Sequence, residues 1–447
     1  MLSGFEQKLN HFDLSVRRQA LHEIIERIEN GEIQPSCPSL KVNIHIHSFF
    51  SYNCNGWSPS RIAWEAYKTG LETVGIVDFD VLDGLEEFHG AGELLGVKTV
   101  AGVETRVFIP ELADKVITSP NEPGVHYMMA QGCGRIADGC MDKLSNLRQV
   151  SESRNLQVME RLNDYLPDIA LDYAHDVQVL TPSGNATERH LMLAYDRKAK
   201  EVFGSKSDEF WARVLDMSVS EARSLMADRP KFHERLRTKL VKFGSAGYVQ
   251  PESGSFPSID AFVKLACSIG AVPTTAWLDG TSEGERDVTA NLEFMMSKGV
   301  SAINIIPERN WNIADLEEKS LKLKKLREVV EAARAFGLPI SVGTEMNQPG
   351  QPFVDDFSAP ELADFVDDFI DGAHFFYGHT LLSRYADFCF YSDVARAAFG
   401  DKTKEKIMFF TKVGTLAKPG RRLYDKLREQ AGLLEPGKII EILERER

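Results

Sequence analysis

"SPSRIAWEAYKTGLETVGIVDFD", residues 58–80, contains one complete structural unit. Ser58 supplies a side-chain oxygen suited to a helix N-cap, Pro59 fits the first turn, and Gly70 fits the left-handed position past the last turn. "TVGIV" (73–77) then reads as a buried strand, with Asp78 and Asp80 at its end. A helix handing over through glycine to a short apolar strand is the repeating element of an alternating α/β fold.

The unit recurs. "LDGLEEFHGAGELLGVKTVAGVE" (82–104) ends on Glu104, and "SIDAFVKLACSIGAVPTTAW" (258–277) passes Gly270 and ends on Trp277. "VTANLEFMMSKGVSAINIIPER" (288–309) passes Gly299 and ends near Glu308. "KLKKLREVVEAARAFGLPISVGTEMN" (322–347) passes Gly337 and reaches Glu345. The expected fold is a parallel sheet of at least six strands, curled into a closed or nearly closed α/β barrel. Functional residues of such barrels gather at the C-terminal strand ends, where these polar residues fall. The rhythm breaks over 144–250, which reads as a charged helical insertion over one barrel face. The barrel then occupies 41–143 and 251–400, with helical extensions over 1–40 and 401–447; the tail "KPGRRLYDKLREQAGLLEPGKIIEILERER" (418–447) reads as mostly solvated helix.

The net charge of −14 over 447 residues gives no basic footprint for nucleic acid or an anionic membrane. The six cysteines are scattered with no CxxC pair, which fits a reducing cytoplasm rather than a disulfide framework. The start is a charged amphipathic helix without an apolar signal segment, and no run of about 18 apolar residues occurs. The expectation is a cytoplasmic protein acting on a small molecule.

The chemistry centres on "KVNIHIHSFF" (41–50). Residues i and i+2 of a strand share a face, so His45 and His47 can converge on one ion. The alternative is a hydrogen-bonded interior pair. Glu104 and Glu345 stand at other strand ends, and two imidazoles with carboxylates suit Zn²⁺, Mn²⁺ or Fe²⁺. In "PSGNATERHLML" (182–193), Thr187 can cap a helix with His190 in its first turn. There a neutral imidazole or the backbone N–H groups can meet a metal or a phosphate. Arg106 and Arg189 flank candidate ligands and can clamp a phosphate, or serve as ordinary ion-pair partners. His374 and His379, in "DGAHFFYGHTL", read as core packing. No GxGxxG, GxxxxGK[ST] or G-x-S-x-G spacing is present.

With these stretches the chain resembles the PHP (polymerase and histidinol phosphatase) family, close to its small metal-dependent phosphoesterases. "NIHIHSFFS", residues 58–80, "VAGVETRV", "HYMMAQG", "TERHLMLA", "GAVPTTAWL" and "GLPISVGTEMN" follow the family's order over about residues 41–350. The resemblance implies a distorted seven-stranded (β/α) barrel binding up to three divalent ions. It places the H-x-H motif on His45 and His47, the bridging glutamate on Glu104, a mid-chain histidine on His126 and the helix-start histidine on His190.

The chain departs from that pattern. D-H-D reads Asp78-Phe79-Asp80, the alanine-histidine-proline turn reads Ala276-Trp277-Leu278, and the closing D-x-H reads Glu345-Met346-Asn347. Phenylalanine and tryptophan cannot ligate metal, so the second and third ion positions lose ligands. The expected site holds one ion on His45, His47, Glu104 and Glu345, with His126 and His190 available for a second ion or a phosphate. Asp78 or Asp80 would act on water, and Arg106, Arg189, His190 and Trp277 would meet the substrate. The expected function is a metal-dependent hydrolase of a small phosphorylated substrate. The alternative is a barrel that binds a small molecule without turnover, with Phe79 and Trp277 stacking on a ring. A metal-free glycosidase using Glu104 and Glu345 ranks last, because it leaves the histidine pair unused.

Overall fold

The computed structural model describes residues 2–34, 36–136, 139–252, 254–433 and 435–446. Seven strands form one sheet in chain order: β1 (Ser39–Ile46), β2 (Leu71–Phe79), β3 (Lys98–Phe108), β4 (Val125–Gln131), β5 (Val272–Trp277), β6 (Ala302–Ile305) and β7 (Ile340–Val342). The sheet closes on itself just past β7. The Glu345 N–H donates to His45 O at 2.8 Å, and the His47 N–H donates to Glu345 O at 2.8 Å. Gly343 permits this approach, since a Cβ there would collide with His45. The result is a nearly closed α/β barrel with flanking helices.

The opening unit folds as its residues dictate. The Ser58 side chain caps the helix Pro59–Thr69 by accepting from the Arg61 N–H, and Gly70 ends it at φ +66°. One strand departs from the parallel expectation: β4 is antiparallel to both β3 and β5. Residues 109–124 join β3 to β4 with only a short 3₁₀ turn, Pro110–Leu112. No helix carries the chain back to the strand's starting end, so it returns in the opposite direction.

The bottom of the barrel is plugged by the almost wholly buried helix Val366–Tyr385. Its Gly372 lies against the Ile340 carbonyl so tightly that no Cβ fits, and His379 Nδ1 sits 2.9 Å from Gly132 O. The helix Thr403–Leu416 packs beneath it through Gly378 and Gly414 at backbone distance. The tail beyond Lys418 is exposed over much of its length, but Leu423, Tyr424, Leu427, Ile439 and Leu443 anchor it to the main core, which Phe409, Phe410 and Val413 of the preceding helix also join. At the other end, the insertion folds around its own core of Leu162, Leu191, Tyr195, Trp211, Phe232 and Leu236. Two of its helices, Met141–Tyr165 and Glu188–Phe203, reach the mouth of the barrel. No helix among the described residues is long and apolar enough to cross a membrane.

Candidate metal centre

His45, His47 and Glu104 meet at the mouth, where one ligand atom from each lies within 4.8 Å of the others. Strand alternation puts His45 and His47 on the inner face, and β3 brings Glu104 alongside Phe79 of β2. Glu104 Oε2 is 3.3 Å from His45 Nε2 and 3.2 Å from His47 Nε2. All three side chains are buried.

The partners of the far nitrogens define the tautomers. The Asn304 amide is oriented by its Nδ2, which donates to Ser341 Oγ at 3.0 Å, so its Oδ1 faces His45 Nδ1 at 3.0 Å. His45 therefore carries its hydrogen on Nδ1. The Ser51 hydroxyl donates to Asp78 Oδ1 at 2.7 Å, which leaves its oxygen to accept from His47 Nδ1 at 3.2 Å. In neutral rings both Nε2 atoms then present lone pairs to a carboxylate oxygen. Three acceptors facing one another demand a cation, either a proton on an imidazole or a metal ion. His47 Nε2 is buried and has no hydrogen-bond partner.

The residues fit a metal. Tetrahedral bonds to nitrogen and oxygen ligands place ligand atoms about 3.3–3.4 Å apart, close to both observed spacings. Imidazoles whose second nitrogen is held by an acceptor are the usual form of metal ligands. Without an ion, burial works against charge on His45, but the Glu104 carboxylate outweighs it and raises the imidazole above its ordinary range. Burial alone would raise Glu104; the two imidazoles outweigh it and hold the carboxyl at about 2.

The carboxylates divide their tasks. Both oxygens of Asp78 are occupied: Oδ1 accepts from the Ser48 N–H and the Ser51 hydroxyl, and Oδ2 from the Ser48 hydroxyl. Asp78 thus braces the loop that holds His47. Asp80 has a left-handed backbone (φ +62°), accepts from Thr105 Oγ1 at 2.6 Å and is raised to about 6 by burial. It lines a neighbouring cavity with Arg106. Glu345 lines the same cavity as His45 and Glu104, a space of about 350 Å³, but is not one of the clustered three. Its carboxylate pairs with Arg309 at 2.6 Å. Glu345 (φ +62°) and Met346 (φ +51°) are successive left-handed non-glycine residues, a strained turn of the kind found at functional sites.

Other candidates lie elsewhere. His126 is on the opposite face of β4 from Tyr127 and Met129, which line the mouth. Both its nitrogens are engaged, by Thr118 at 3.0 Å and Thr275 at 2.7 Å, and burial lowers it to about 3. The structure does not bring it to the cluster. His190 completes a capping box: its Nδ1 accepts from the Thr187 N–H at 3.1 Å, and burial lowers it to about 4. Trp277 borders the mouth but is 2% exposed and packs in the outer core with Val288, Leu292 and Leu326. Phe79 stacks on His47 at 4.3 Å, closing that side of the cluster.

The cavity wall also contains residues that sequence reading missed. Arg154, Arg237 and Lys242 come from the insertion and face the mouth beside Arg189. Arg189 pairs with Glu234 at 2.6 Å and lies over the Tyr52 ring. In the sequence these cations sit in charged helices indistinguishable from a wet surface. The weak signal was the excess of basic residues in "RPKFHERLRTKLVKFG" (229–244).

No protein-family model matches this chain, and no curated protein matches it. Among solved structures, it is similar to an amidohydrolase from Chromobacterium violaceum with bound sulfate and no metal. That likeness has a TM-score of 0.46 and 15% identity, over 73% of this chain and 96% of the other. It is also similar to a protein from Bifidobacterium adolescentis provisionally assigned as a metal-dependent phosphoesterase. There the TM-score is 0.47 and the identity 17%, over 75% of this chain and 98% of the other.

Proposed function

We propose that the protein is a metal-dependent hydrolase of the PHP type, a phosphoesterase acting on a small phosphorylated substrate. One observation carries the reading: His45 Nε2, His47 Nε2 and Glu104 Oε2 converge, three acceptors when both imidazoles are neutral, in a mouth walled by basic side chains. A divalent ion on these residues would polarise a phosphoryl oxygen and acidify water. Asn304 and Ser51 keep both imidazoles in the ligating tautomer, and Asp78 holds Ser51 in place. Glu345 is the further carboxylate in the mouth, able to exchange Arg309 for a ligand role or a substrate proton. Arg189 and Lys242 would receive the phosphate, with Arg106 and Asp80 behind them. His190 fixes the start of the helix that carries Arg189.

The test is elemental analysis of protein purified without added metal, together with hydrolysis of a phosphomonoester panel. The reading expects one equivalent of a divalent ion, sharply reduced metal in His47→Ala, and activity lost with chelator and restored by one ion. Unchanged metal content in that variant overturns the assigned ligands. A second reading, a barrel that binds its ligand without turnover, is favoured by Phe79, a side chain that cannot ligate metal, standing against His47 at 4.3 Å where the PHP pattern has a ligating histidine. Stoichiometric ligand binding with no hydrolysis across the panel would select it.

A further inference from the structure

We infer that an oxyanion subsite adjoins the mouth cavity, where the insertion meets the barrel, and is centred on Arg154, which borders both spaces. Neither histidine of the cluster nor Glu104 lines the subsite's own cavity, whose space is about 90 Å³. Arg154, on the helix Met141–Tyr165, is 8% exposed. Its Nη2 donates to Val249 O at 2.9 Å and Glu122 Oε1 at 3.3 Å. Its Nε and Nη1 are buried and have no partner. Buried guanidinium N–H groups are ordinarily satisfied, because leaving them dry forfeits their hydration.

A second guanidinium faces the same space. Arg106 and Arg154 both lie over the Phe256 ring, at 4.6 and 5.2 Å. Arg106 approaches its carboxylates only at 3.5 Å (Glu122) and 4.0 Å (Glu188). Glu188 is also shared with Arg237 and Lys242, and Glu234 with Arg189 and Arg237. Three glutamates thus serve five cations. Two forked donors with free N–H groups, set against one apolar ring, match the planar recognition of a phosphate, sulfate or carboxylate. The ligand is such an oxyanion, either free phosphate or an anionic group of the molecule in the mouth. The subsite stands whether or not the mouth hydrolyses anything.

The experiment is calorimetric titration of the full-length, chelator-treated protein with inorganic phosphate and, separately, with glycerol 2-phosphate. Arg154→Lys keeps a charge but loses the fork, and its phosphate affinity is expected to fall about tenfold or more. Arg154→Gln should abolish binding. Arg154 also braces Val249, so Ser151→Leu is a second probe: it fills the cavity and leaves every cation in place. It too should abolish binding, with the circular dichroism of all variants unchanged. Glycerol 2-phosphate showing the same losses would identify the anion as part of a larger ligand. Binding of inorganic phosphate alone would identify free phosphate. No phosphate binding to the wild type, or equal binding to Ser151→Leu, overturns the subsite.

Discussion

Asn304 Oδ1 and His45 Nδ1 lie 3.0 Å apart across the barrel, and this contact decides which imidazole nitrogen faces Glu104. Ser51 performs the same task for His47. Neither residue belongs to the cluster of three, yet together they make it an acceptor-only site. Partners of this kind commonly contribute 10–100-fold to metal affinity. Asn304→Leu and Ser51→Ala should each weaken metal binding by about that factor, measured by competition with a chromogenic chelator. Wild-type affinity in both variants would show that the tautomers are not set this way.

On the proposed metal reading, Arg309 would compete with the ion for Glu345, with which it pairs in the mouth. The 2.6 Å pair keeps the carboxylate out of the cluster. Arg309→Gln should free it and tighten metal binding several-fold, and adding Glu345→Gln to that variant should cancel the gain. If Arg309→Gln binds metal as the wild type does, Glu345 has no ligand role.

The helix Val366–Tyr385 plugs the barrel at backbone contact, so Gly372→Ala is a test of the fold rather than the site. The added Cβ runs into the Ile340 carbonyl, backbone that cannot swing aside. Overpacking of this kind costs about 1–3 kcal/mol, and more where backbone must move. Urea unfolding should place this variant at least about 3 kcal/mol below wild type. A loss under about 1 kcal/mol would mean that the helix can slide on β7.

Local signals explain what could be read in advance. Ser58, Pro59 and Gly70 state the bounds of their helix, and the H-x-H spacing alone puts two imidazoles on one face. Glu104 was legible as a carboxylate facing the site, but not as lying inside its strand: it is the last residue of β3 paired with β2, and β3 runs on along β4 to Phe108. His126 was not placed correctly by position alone, because a strand residue's face depends on register: Tyr127, its neighbour, took the mouth. The turn of β4 depends on a loop lacking a helix, a weak pattern to find. Arg154 and Lys242 reach the site only because the insertion folds over the mouth, and helix periodicity does not encode that docking. Trp277 looked like a site residue because it ends a strand, but it faces the outer core.

A pH signature is built into the loop that follows β5. Glu285 is 1% exposed and accepts from three backbone N–H groups, those of Leu278 at 2.7 Å, Gly280 at 3.2 Å and Asp279 at 3.4 Å. Burial raises its carboxyl to about 7, against the pull of those donors. An acid whose folded pKa exceeds its unfolded value, about 4.5, binds its proton more tightly in the folded state. Its contribution is fully present below about pH 4.5, falls as pH rises toward 7, and is level above that. The full swing is roughly 3 kcal/mol. Asp80 and Asp355, each raised to about 6 by burial, titrate in the same window, so wild-type stability alone cannot isolate Glu285. Comparison with Glu285→Gln removes their shared effect. The stability difference between the two proteins should move in the variant's favour as pH rises through this window, by up to about 3 kcal/mol. A difference that stays constant from pH 4.5 to 7.5 in urea unfolding would show that Glu285 does not change its proton affinity on folding.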